Sequence, residues 1–255
     1  MAVNNERATL FIEAQEIPTQ SFSILLEEPT FEVRRDAAKR MPSNPETRAP
    51  FSLEQAMLAM SILEYDGVKV PKDLKDPLDV IKNMAPKDLQ FLLTIFVEAF
   101  TLTDEVADEA KRIAEAMMKE SSSVYTLSQD IMPTQKFSVT FRRPTANDEF
   151  EANRKFPGAA AQPGYTREEL ILSSCITHIN GKPVEEMKNP IDRLNEWDHI
   201  DAQFALGVFL SISYLDQEDR SKAAELGKKF RTRERKTISS STKVTKKAEI
   251  TQTAV

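Results

Sequence analysis

Gln90-Phe91-Leu92-Leu93-Thr94-Ile95-Phe96-Val97-Glu98-Ala99-Phe100 carries apolar residues almost all the way round a helical wheel, and the pattern returns as Gln203-Phe204-Ala205-Leu206-Gly207-Val208-Phe209-Leu210-Ser211-Ile212. A helix apolar on nearly every side is one surrounded by protein. Each stretch is therefore read as the buried central helix of one copy of a duplicated unit.

Working outward, the flanking signals recur in the same order. Thr9-Leu10-Phe11-Ile12 and Phe22-Ser23-Ile24-Leu25-Leu26 have strand composition and flank Pro18-Thr19-Gln20. Val124-Tyr125-Thr126-Leu127 and Phe137-Ser138-Val139-Thr140-Phe141 flank the identical tripeptide Pro133-Thr134-Gln135. Pro29-Thr30 and Pro144-Thr145 then offer a threonine cap for helices over Phe31 to Arg40 and Ala146 to Lys155. Pro-rich loops follow, and Ser52-Leu53-Glu54-Gln55 and Thr166-Arg167-Glu168-Glu169 fit the capping box that opens a second helix. Asp66-Gly67 and Asn180-Gly181 supply the positive φ angles of tight reversals between short strands. Asp76-Pro77 and Asn189-Pro190 mark short helices. Thr103-Asp104-Glu105 and Asp216-Gln217-Glu218 start a polar last helix in each copy, with acids at the positive end of the helix dipole.

These signals predict an α+β fold built from two tandem copies of a mainly helical unit, each with an N-terminal β-hairpin arm. The first copy spans 8–118 and the second 123–230. Residues 231–255, rich in Lys, Arg, Ser and Thr, read as a flexible basic tail.

The composition narrows the function. The chain has 255 residues, 40% hydrophobic and 29% charged, which places it among soluble globular proteins. Met1 to Arg7 shows neither the basic nor the apolar region of a secretory signal, and no stretch reads as a membrane span. A single cysteine, Cys175, gives no disulfide framework and suits a reducing cytoplasm. The net charge of −6 argues against nucleic-acid binding by the body of the chain without excluding a local basic patch; the basic tail is expected to be a solvated end, with contact to phosphates or an acidic partner as the alternative. With six glycines there is no phosphate-cradling motif.

Candidate chemistry is sparse. Cys175 and His178 could be imagined as a nucleophile or metal pair, but no second ligand pair has zinc-type spacing, so a small buried thiol and an ordinary histidine are expected. Asp79 and Asp192, and Asp88 and Asp201, are acids present in both copies. Capping of their own helices accounts for them, and a catalytic use is the remote alternative. Gln90 and Gln203 are expected to make buried bonds within their own copies, with a bond across a copy–copy or partner interface as the alternative. Trp197 is expected to close the core beneath its central helix rather than anchor a partner. No catalytic residue, cofactor site or metal ligand is assigned.

Phe137-Ser138-Val139-Thr140-Phe141-Arg142-Arg143-Pro144-Thr145-Ala146-Asn147-Asp148-Glu149, followed by a helical segment and Leu194-Asn195-Glu196-Trp197-Asp198 before the Phe-rich helix, resembles the T4-type baseplate hub-assembly family of contractile-tailed bacteriophages. The likeness is one of layout and covers the second copy best; the tandem form departs from the single unit of that family. The resemblance implies a non-enzymatic tail or baseplate-hub assembly protein, akin to tail assembly chaperones, that binds a tape-measure or hub protein in the host cytoplasm. A permanent place in the virion baseplate is the alternative. Partner contacts are expected at the arms around Phe11, Phe22 and Phe137 and the loops around Pro45 and Pro163, with a second copy of the chain as a further partner.

Overall fold

The computed structural model describes residues 7–42, 49–71, 74, 76–120, 122–156, 164–214, 220–226 and 228. It is an α+β structure with two four-stranded antiparallel sheets. The first comprises β1 (Thr9–Ile12), β2 (Ile24–Glu27), β3 (Ile62–Tyr65) and β4 (Val68–Lys69), in that spatial order. The second comprises β5 (Val124–Leu127), β6 (Val139–Arg142), β7 (Ile176–Ile179) and β8 (Lys182–Pro183), again in chain order.

The helices fall into the same series. In the first half α1 (Phe31–Lys39) and α2 (Leu53–Ser61) precede β3, and α3 (Pro86–Phe100) and α4 (Asp104–Met118) follow β4. In the second half α5 (Ala146–Lys155) and α6 (Arg167–Cys175) precede β7, and α7 (His199–Ser213) follows β8. Even the interruption of pairing recurs, between Leu25 and Leu26 on β2 and between Thr140 and Phe141 on β6.

Local chemistry accounts for most element boundaries. Thr30 and Thr145 accept from the backbone N–H of Val33 and Asp148, and Ser52 and Thr166 close full capping boxes with Gln55 and Glu169. Asp66-Gly67 and Asn180-Gly181 adopt positive φ at both residues, the geometry of the two-residue hairpin turn. The Asp76-Pro77 and Asn189-Pro190 signals yield only 3-10 turns, Pro77–Val80 and Pro190–Leu194.

Two expectations need correction. The N-terminal hairpins are not free arms, because β2 and β6 pair on their far sides with β3 and β7 and are built into the sheets. The spans 8–118 and 123–230 do not stand as separate bodies either. Met1–Ser213 forms one compact unit, within which α4 packs along α7 and α1 also touches α7. Tyr214–Val255 forms the second unit, in which residues 220–226 are helical. The basic tail, 231–255, lies outside the described residues. Among the described residues no helix is long and apolar enough to cross a membrane.

Candidate protein-interaction site

Each sheet ends in a strand that no other described strand pairs with on its outer side, β1 in the first half and β5 in the second. Alternation along β1 sends Leu10 and Ile12 toward the core and leaves Phe11 55% exposed. On β5 the same alternation buries Tyr125 and Leu127 and leaves Val124 46% exposed. An open strand edge with a large apolar side chain beside it can accept an extended segment of another chain. Val68, on the opposite edge strand β4, is also exposed.

The other expected contact residues fall elsewhere. Phe22 is buried, stacked on Tyr65 with centroids 4.7 Å apart. Phe137 is buried against Trp197 at 4.7 Å. Both rings close the core beneath a hairpin loop, so neither offers a face to a partner. Pro45 and Pro163 lie outside the described residues.

The loops holding the shared Pro-Thr-Gln sequence are pinned by carboxylates. Asp88 accepts from the backbone N–H and hydroxyl of Thr19, at 3.1 and 2.6 Å. Asp201 accepts from the N–H of Thr134 at 3.1 Å and from its hydroxyl. Gln20 and Gln135, both at φ 54°, turn the chain after each threonine. The matched acids thus latch a distant loop onto the central helix, a use that goes beyond capping their own helices. Both carboxylates are buried. Burial pushes Asp201 up to about 6, opposed by the Thr134 hydrogen bonds and reinforced by Asp198 and Glu28. Asp79 pairs with Lys82 on the surface, and Asp192 accepts from Arg35.

Arg35 belongs to a seam between the halves, which sequence reasoning missed. Arg34 donates to both carboxylate oxygens of Glu169 at 2.9 and 3.0 Å. Arg35 donates to Asp192 and Asn195, at 3.0 and 3.1 Å, and lies over the Tyr165 ring. Lys136 bridges Glu28 and Asp198 at 3.0 and 2.7 Å. Main-chain bonds run from Phe31 N–H to the Trp197 carbonyl and from His199 N–H to the Pro29 carbonyl, both 2.9 Å. Gln203 accepts from the Leu102 N–H at 3.2 Å, so its amide works across the seam between the halves rather than within its own half. Burial, with Arg34 beside it, holds His199 down at about 3.

Cys175 and His178 lie on different elements, α6 and β7. The thiol ends α6 fully buried, pushed up to about 12 by that burial, while His178 lies partly exposed on β7 with Nδ1 next to the Thr177 hydroxyl. Among the described residues no group of three or more His, Cys, Asp or Glu could hold a metal ion. A cleft of about 320 Å³ beside β2 and α2 is lined by Arg7, Glu27, Glu32, Asp36, Met60 and Val70. A shallower groove of about 310 Å³ runs along α3, between Pro18, Lys87, Gln90, Phe91, Thr94 and Ile95. Comparison with protein-family models, curated proteins and solved structures finds no match to this chain.

Proposed function

We propose that the chain is a duplicated module acting as a bacteriophage tail or baseplate-hub assembly protein, holding a tape-measure or hub partner without catalysing a reaction. The reading rests on the sequence layout described above and on one structural observation: two open strand edges, β1 and β5, each beside an exposed apolar side chain, Phe11 and Val124. A single compact unit carrying two such edges suits capture of one extended segment twice, with the second contact made at high effective concentration. The role belongs to the host cytoplasm during assembly, with the basic tail as the one segment suited to phosphate contact.

Co-expression with tape-measure and hub proteins, followed by affinity capture, tests the assignment. A complex with one of them is expected, and it should be lost when Phe11 and Val124 are both changed to Glu. Failure to capture either partner refutes the reading.

A further inference from the structure

The seam inside the molecule uses one end of each half and leaves the matching end of the other half open. The first half contributes α1 and α4, and the second contributes the face of α7 they cover. Gly207 lies against α4: a Cβ there would lie 3.5 Å from that of Ala110. The neighbouring Phe204 and Val208 are completely covered.

On the matching face of α3 the equivalents are Phe91, Thr94 and Ile95. Thr94 is exposed, Phe91 and Ile95 are only half-buried, and all three line the groove. Several second-half equivalents of the donor residues are exposed as well. Thr30 and Phe31 are buried in the seam, whereas their equivalents Thr145 and Ala146 are exposed. Arg35, which lies over the Tyr165 ring, has Phe150 as its equivalent, 68% exposed. Tyr165 has Phe51 as its own equivalent, also partly exposed. In sequence, Ala223 and Leu226 are the equivalents of Ala110 and Ile113, and Leu226, within the helical stretch 220–226, is 66% exposed.

We infer that a second copy of this chain occupies the α3 groove, the 220–226 helix of one molecule lying on α3 of the next and Phe150 meeting Phe51. Such a contact joins two different surfaces, so it propagates head to tail instead of closing as a symmetric pair. The charged fasteners of the internal seam have no counterparts there. Pro86 replaces His199 and has no N–H to donate, Glu149 and Gln55 replace Arg34 and Glu169, and Ser21, Arg143 and Ala85 replace Lys136, Glu28 and Asp198. Charge therefore specifies which half docks within a chain, while the contact between chains is apolar, weaker and dependent on concentration. The inference requires that the halves be copies of one module and is independent of any phage partner.

Sedimentation velocity on the full chain over a range of concentrations tests it, with circular dichroism to confirm folding of each variant. The wild type should grow past the dimer as concentration rises. Thr94→Arg blocks the groove and Leu226→Asp blocks the helix; each alone should weaken association by at least about tenfold. Phe150→Asp should weaken it independently. An equimolar mixture of Thr94→Arg and Leu226→Asp should form a one-to-one dimer and stop there, since each retains the surface the other lost. A wild type that stays monomeric or stops at a symmetric dimer overturns the inference, as does association indifferent to these substitutions or a mixture that does not pair. Partner capture through Phe11 and Val124 reads out separately, so the two proposals fail separately.

Discussion

Two buried titratable groups within three residues of each other pull the pH dependence of stability in opposite directions. Asp201 has a folded pKa of about 6 against an ordinary 3.8, so its contribution is complete below about pH 4 and is lost as pH rises through 6. His199 has a folded value of about 3 against an ordinary 6.5, so its contribution is present above 6.5 and is lost as pH falls toward 3. Between pH 4 and 6 the two slopes oppose each other. Asp201→Asn removes one of them, and the melting temperature of that variant should rise with pH across this window more steeply than that of the wild type. His199→Leu should show the reverse, a steeper fall, and parallel curves for all three proteins would refute the assignment. The hydroxyl of Thr134 is a separate matter of satisfying a buried carboxylate. Thr134→Val should cost about 1–3 kcal/mol in denaturant unfolding, because Asp201 keeps its burial and loses a donor.

At the scale of the element, two glycines of the seam are there for different reasons. Gly207 lies in regular helix, and a methyl group there would meet Ala110 at ordinary contact distance. Gly207→Ala should therefore stabilise the protein by about 0.5–1 kcal/mol through the lost backbone freedom of the unfolded chain, and Gly207→Leu should destabilise it by forcing α4 away. Gly164 is at φ +74°, and its Cβ would fall 2.2 Å from the Arg35 carbonyl oxygen, so Gly164→Ala should cost well over about 1 kcal/mol by the same unfolding measurement. The same elements show what the sequence discloses and what it hides. Capping boxes at Ser52 and Thr166 and reversals at Asp66-Gly67 and Asn180-Gly181 are encoded within four residues, so their elements were legible. The partner of the Pro-Thr-Gln loops is an aspartate 69 residues from Thr19 and 67 from Thr134, and only the recurrence of both pieces hints at the pairing. Burial of Phe22 and Phe137 was not legible, since an aromatic at the mouth of a hairpin can turn either way until the body beneath it is placed. The role of Gln203 depends on a helix from the other half, which no local pattern records.

Across the whole molecule the seam decides whether the halves unfold together. Arg34 and Glu169 are both largely buried, with side-chain exposures of 17% and 7%, and Glu169 also accepts from the Thr166 N–H at 2.7 Å. A buried pair of this kind adds little net stability over an apolar replacement, but losing one member strands the other, at about 3–5 kcal/mol. Arg34→Met should therefore be strongly destabilising, and Arg34→Met combined with Glu169→Met should recover part of the loss. Two native probes can follow the opening. Trp197 is the sole tryptophan, packed on Phe137, and its carbonyl accepts the Phe31 N–H across the seam. Cys175 is the sole thiol, buried within the second half and inert while its pKa stays near 12. In the wild type, Trp197 fluorescence and Cys175 alkylation should follow one transition as denaturant rises, because main-chain bonds, ion pairs and the α4–α7 contact all join the halves. In Arg34→Met the Trp197 change should come first, at a denaturant concentration where Cys175 is still protected, since the seam opens while the second half keeps its core. Coincident transitions in the variant would mean that the second half cannot hold its fold once the first has left it, and separate transitions in the wild type would mean that the seam does not couple the halves at all.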